Sequence, residues 1–383
     1  LYPFYEILPV KSNSGNWLVN GGKTNTADIP SLVSTLLTWE RVRSFNVGFD
    51  FGAFSNRLTG SFDYFVRKTV DMVGPAPQLP LVLGIAPAIV NNADMKSYGF
   101  EIELSWRDRI GEVDYGVKFN LADAQQKVVK YPNTTNAFSD WYAGKMSGEI
   151  WGYTSLGIAK TDEEMKEHLA SLPNGGQNQL GNKWGAGDIM YADINGDGKV
   201  DGGKGTLADP GDQRIIGNST PRYNFGLVLD PSYKGFDVSI FFQGVGKRDY
   251  APIVGTNGAV FWGAVNNIWQ SMAMEEHFDY FRPEGHPMGA NLNGYYPRPD
   301  FTSNKNHQVQ TRYLQDASYI RLKNLQIGYT LPKQWINKLH INRCRVYVSG
   351  DNLWTGTSLA SMFDPETLAC LLYTSDAADE RSS

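Results

Sequence analysis

Apolar residues recur at every second position along eight separate stretches of this 383-residue chain, and no other feature restricts the fold as much. Phe45, Val47, Phe49 and Phe51 alternate with Ser44, Asn46, Gly48 and Asp50. Phe100, Ile102, Leu104 and Trp106 alternate with Glu101, Glu103, Ser105 and Arg107. The same period runs through 58–67, 113–121, 223–230, 236–243, 318–331 and 344–348. A strand turns successive side chains to opposite faces, so each stretch predicts a strand with one apolar and one polar side. Residues 318–322 and 325–331 are out of phase with each other, which predicts a bulge near Lys323–Asn324.

The connections alternate in length. Short ones fall at about 52–57, 108–112, 231–235 and 332–342, and long ones at about 1–43, 68–98, 122–222 and 245–317. A series of such long connections is uncommon in soluble domains, whereas outer-membrane barrels pair short turns at one rim with long loops at the other. The 13% aromatic content and 40 glycines also favour β structure. No apolar run is long enough for a membrane helix, so a membrane reading requires strands. The expected fold is therefore all-β: about eight antiparallel strands of a large transmembrane barrel with long extracellular loops. A soluble surface β-sandwich that binds glycans and carries a calcium-stabilised loop is the alternative, since it too has one apolar face per strand.

Composition excludes several functions. Net charge is −5 and there is no basic block, so no nucleic-acid partner is expected. There is no Gly-x-Ser-x-Gly elbow. The "NGGKT" at 20–24 has Trp17 where a phosphate loop needs its first glycine. The five histidines show no zinc spacing. Glu101 and Glu103 share a strand face and could form a glycosidase pair. In a barrel they would instead line the polar lumen with Arg107 and Lys118, and no enzyme activity is expected.

The segment "YADINGDGKVDGG" (191–203) holds the first half of an EF-hand-like loop. Asp193, Asn195 and Asp197 take positions one, three and five, the Lys199 carbonyl takes seven, and Asp201 takes nine. Position twelve is Lys204, which is no ligand, so Asp212 would have to fold back as the closing carboxylate. The other reading is a Gly/Asp turn held by side-chain-to-backbone hydrogen bonds without metal. No cofactor is required, and calcium is the one ion the pattern admits.

Trp141, Tyr142, Trp151, Tyr153 and Trp184 crowd the 122–222 connection, and Trp262 and Trp269 the 245–317 connection. Aromatic rings can grip a sugar or a protein partner, so these seven are candidate contacts to substrate or lid, with loop-on-loop packing as the ordinary alternative. "TDEE" at 161–164 predicts a capping box and a helix through about Leu169. Tyr64, Trp106, Tyr223 and Tyr329 suit interfacial girdles, and Cys344 shares the apolar face of Val346 and Val348.

Several blocks in fixed order resemble SusC/RagA-type TonB-dependent transporters of the Gram-negative outer membrane. They are "LTWERVRSFNVGFDFGAFSNRLTGSFDYFVRKTVDMV" (38–73), "NNADMKSYGFEIELSWRD" (91–108), "YADINGDGKVD" (191–201), "QRIIGNSTPRYNFGLVLDPSYKGFDVSIFFQGV" (213–245), "YLQDASYIRLKNLQIGYTLP" (313–332) and "VYVSGDNLW" (346–354). The resemblance implies a plugged barrel of about 22 strands, of which residues 1–367 would be a C-terminal part without the plug, the TonB-contacting segment and the earlier strands. It implies import of oligosaccharides or peptides, a SusD-like surface lipoprotein as lid, and energy from the TonB complex. Residues 368–383, with "CLLYTSDAADER", resemble translated adapter sequence and are set apart as a non-native tail.

Overall fold

The computed structural model describes residues 8–28, 32–34, 37–75, 88–252, 260–265, 273–300, 305–336 and 341–368. The residues set apart as a tail lie outside this set, Leu368 excepted.

Eight long strands form one antiparallel sheet: β1 (Arg41–Ala53), β2 (Leu58–Val73), β3 (Asn91–Ile110), β4 (Val113–Lys130), β5 (Arg222–Leu229), β6 (Phe236–Lys247), β7 (Tyr319–Thr330) and β8 (Arg345–Thr357). Each pairs with the next, so sheet order follows chain order from β1 to β8. A two-residue strand, Ser232–Tyr233, pairs with β4 and β6 beyond the end of β5.

The hydrogen-bond register turns the sequence stripes into two continuous faces. Phe49 lies opposite Phe62, Phe62 opposite Ile102, and Ile102 opposite Leu121. On the far side Leu227 lies opposite Phe242, Val238 opposite Ile327, and Ile327 opposite Val348. The face behind them is polar. Glu101 lies opposite Asp63 and Ala122, and Glu103 opposite Ser61 and Asn120. The predicted bulge is present: register slips on both sides of β7 at Lys323, and the apolar stripe stays on one face across it. A second sheet does not cover the apolar face among the described residues, and Phe45 is 63% and Val348 76% exposed. The sandwich alternative fails here, because it needs a packed partner for this surface.

Glycines sit where a side chain from the next strand must cross. The Phe51 ring covers Gly60 so closely that a Cβ there would fall 2.6 Å from it. On the polar face Gly328 of β7 leaves room for the Arg345 guanidinium to cross from β8 and pair with Asp237 on β6.

At one rim the strands join through short turns. Gly111, at φ 62°, opens the two-residue turn between Ile110 and Val113. At the other rim the connections are long, but the strands extend further toward them than periodicity predicted. β2 reaches Val73, β3 starts at Asn91 and β4 reaches Lys130. Polar residues on both faces there, Gln125 and Lys127 on one and Gln126 on the other, break the stripe without ending the hydrogen bonding.

The connections after β4 and β6 fold together into one module with its own core. Tyr153, Ile189, Tyr191 and Val200 from the first pack with Phe261, Trp262, Tyr296 and Tyr313 from the second. Helix α1 (Asp162–Ala170) lies in the first connection, with its terminal N–H of Glu164 bonded to Thr161 Oγ1 at 3.1 Å. The return bond of the predicted box shifts by one residue: Glu164 Oε2 accepts from the Lys160 N–H.

Candidate functional site

The polar sheet face carries Glu101, Glu103, Arg107 and Lys118 together, as the stripes predicted. Register places Lys118 opposite Ser105 on β3 and Val228 on β5, and Arg107 opposite Gly116. Glu103 and Lys118 line a concavity of about 910 Å³ with Asp50, Ser61 and Asn120. It is open, and its lining is mixed, with Phe51, Leu104, Phe119 and Val228 beside the polar groups.

The aromatic residues divide by their surroundings. Tyr153 and Trp262 are 3% and 2% exposed, so neither can touch a ligand at the surface. Both had been expected as contacts. Their large apolar area instead builds the module's core, where the Trp262 ring meets Tyr313 at 4.9 Å and His307 at 4.1 Å between centroids. Trp184 is half-buried over the Lys305 ammonium, 5.1 Å from its ring centroid. Trp151 stacks on Phe138 at 4.5 Å, Trp141 meets Tyr131 edge-on, and the Tyr142 hydroxyl donates to Glu149. These last three remain partly exposed. Trp269 lies outside the described residues.

The acidic loop does fold back on itself. Asp212 is fully buried beneath it. Its Oδ1 accepts from the N–H of Ile194 at 2.7 Å and of Asn195 at 3.3 Å, and its Oδ2 from the N–H of Asp201 at 2.8 Å. Burial raises the Asp212 pKa, and these three backbone donors oppose that shift. Asp193 accepts from the N–H of Gly196 and Gly198, and Asn195 and Asp197 close successive turns. The Lys199 ammonium lies 2.5 Å from Asp201 and 3.9 Å from Asp197. That contact holds Asp201 below and Lys199 above their ordinary pKa values. Among the described residues no group of three or more His, Cys, Asp or Glu is disposed to hold a metal. In this arrangement the carboxylates accept from backbone N–H groups and Asp201 faces an ammonium, the hydrogen bonding of a Gly/Asp turn.

Sequence reading missed the cluster that joins the two long connections. Asp188, with no exposed surface, accepts from Arg298, from Lys305 at 2.9 Å, from Asn306 at 3.0 Å and from the Gly185 N–H at 2.9 Å. Lys305 is itself 1% exposed. The Tyr191 hydroxyl donates to the Lys305 carbonyl, and Gln177 satisfies both the Ile189 carbonyl and the Tyr191 N–H. Arg298, Lys305 and Asn306 lie more than a hundred positions from Asp188, and no local pattern marks them.

Burial also depresses His307 to about 4, with the Asp300 charge opposing. The ring is neutral when folded, while an unfolded histidine protonates near pH 6.5. The stability it lends is therefore full above pH 6.5 and is lost as pH falls through 4. The shift corresponds to about 3 kcal/mol. Protease cleavage within 131–221 and 248–318 should rise steeply between pH 7 and pH 4.5. His307→Phe should flatten that rise, and an unchanged pH profile would contradict the assignment.

The model of the TonB dependent receptor-like β-barrel family matches residues 3–353. A TonB-dependent receptor of Formosa agariphila, P3, is 28% identical over 380 residues, covering 94% of this chain and 34% of the relative. The receptor SusC of Bacteroides thetaiotaomicron is 21% identical over 321 residues, covering 80% and 27%. Among solved structures, the RagAB peptide transporter superposes with a TM-score of 0.68 at 21% identity, covering 95% of this chain and 36% of that one. The chain thus spans about a third of the length of the curated relatives it matches.

Proposed function

The chain belongs to the TonB-dependent receptor family, as part of its β-barrel, and from that premise we propose that it forms a sector of an outer-membrane importer of the SusC/RagA type. One observation carries the reading: an unbroken two-faced sheet whose long connections leave one rim, those after β4 and β6 folding into a packed module. The apolar face suits lipid. On β3 it runs from Tyr98 to Trp106, nine residues, or about 26 Å of strand at a rise of ~3.3 Å per step, against an apolar band of about 25 Å in such barrels. Aromatic residues cluster at the short-turn rim, where Trp106 bonds the Tyr115 hydroxyl and Phe236 meets Tyr329. The polar face suits a lumen, and the unpaired outer edges of β1 and β8 suit continuation of the sheet.

In this proposal the cargo is an oligosaccharide or peptide, the module lies at the extracellular mouth under a SusD-like lipoprotein lid, and the TonB complex supplies energy. Glu101 and Glu103 hydrate the lumen and catalyse nothing. Fractionation and uptake test the reading together. The complete receptor should sediment with the outer membrane, and deleting its gene or disabling TonB should abolish accumulation of labelled glycan or peptide. Recovery from the soluble fraction, or uptake unchanged by deletion, would overturn it.

A further inference from the structure

Where the module meets the loop-side ends of β4, β5 and β6, a pocket of about 230 Å³ is lined by Gln125, Gln126, Ser147, Thr220, Arg222 and Lys247. No carboxylate lines it. The nearest acids are committed elsewhere: Asp123 is paired with Arg222, and Asp249 accepts from the Asn218 N–H at 2.8 Å. Arg248 backs the pocket, buried, donating to the Ser219 carbonyl at 3.1 Å and to that of Pro365, with no carboxylate in salt-bridge range among the described residues. Lys247 makes no ion pair among the described residues, and the Gln125 and Gln126 amides make no side-chain hydrogen bond there. By contrast Ser147 and Thr220 are tied into the wall, the Ser147 carbonyl accepting from Asn218 and Thr220 side chains. By register Lys247 and Gln126 lie on one sheet face, and Gln125, its neighbour on β4, on the other, so the shared face offers one uncommitted cation and one uncommitted amide.

We propose that this pocket binds the carboxylate of an acidic oligosaccharide or peptide, which rests on the import reading above and narrows its cargo. The Lys247 ammonium pairs with the carboxylate, and the Gln126 amide bonds an adjoining hydroxyl or peptide group.

Calorimetric titration of the complete receptor in detergent tests this, with a galacturonate trimer against a galactose trimer, and a glutamate tripeptide against a glutamine tripeptide. One acidic probe should bind about fivefold tighter than its neutral counterpart, the larger end of what an exposed ion pair supplies. Which acidic probe shows the preference separates sugar from peptide. Lys247→Gln should erase the preference, while Lys247→Arg retains it and added salt weakens it. Lys247 is exposed, so an unchanged melting curve should accompany both variants. Failure of both acidic probes to bind, equal affinity for acidic and neutral probes, or an unaffected Lys247→Gln would overturn the subsite. Charge-blind import in the uptake assay would sink the subsite alone, and absence of any uptake would sink the import reading with it.

Discussion

Replacing Asp188 by alanine should open the loop module while leaving the sheet intact. The substitution leaves Lys305, 1% exposed, with Asp300 at 3.8 Å as a carboxylate partner in place of the 2.9 Å contact to Asp188, and it removes a two-pronged bond to Arg298. Breaking one partner of a buried ion pair costs about 3–5 kcal/mol, because the remaining charge stays desolvated. The module's core spans two connections, so losing the clasp exposes both. Limited proteolysis should cut within 131–221 and 248–318, and the barrel should keep its heat-modifiable migration on gels. A paired change, Asp188→Leu with Lys305→Met, should recover most of the resistance, since removing both charges together avoids the stranded one. Protease resistance equal to wild type in Asp188→Ala would show that the aromatic core alone holds the module.

Asp212→Ala should be the next most damaging change. It leaves three backbone N–H groups, of Ile194, Asn195 and Asp201, without their acceptor. Each unsatisfied buried donor costs about 1–3 kcal/mol, and water entering the exposed half of the loop relieves part of this. A net loss of about 3 kcal/mol is expected, seen as a lower melting temperature of the module. Asp212→Asn retains one acceptor oxygen and should lose less. Calcium separates the two readings of this loop. With the Lys199 ammonium on Asp201, millimolar calcium should leave the wild-type melting temperature unchanged. A calcium-dependent rise that Asp197→Ala abolishes would restore the ion-binding reading.

The strands were legible because their signal is local. Phe45 to Phe51 and Phe100 to Trp106 declare both the strand and its apolar side by period alone. Even the slip at Lys323 was visible as a change of phase, since a one-residue insertion moves every later side chain to the other face. Glu101, Glu103, Arg107 and Lys118 follow from the same parity, and register then confirms them as one surface. Strand ends were less legible. β3 and β4 continue past the apolar stripe on backbone hydrogen bonds alone, which side-chain periodicity cannot report.

The long connections were opaque for a physical reason. A tryptophan in a loop has the same sequence signature whether it meets solvent or a core, so Trp262 and Trp141 could not be told apart until packing placed one inside and one at the edge. Asp188 and Lys305 are single charges separated by 117 positions, and only the folded chain brings them within 2.9 Å. Sequence by itself determined the sheet, its two faces and the asymmetry of its rims, because alternation and loop length act within a few residues. Tertiary structure decided that two loops make one module, which aromatics it consumes as core, and that Asp212 closes the acidic loop against backbone N–H groups. Those outcomes depend on long-range burial, where desolvation sets the cost of every polar group and leaves no trace in the neighbouring residues.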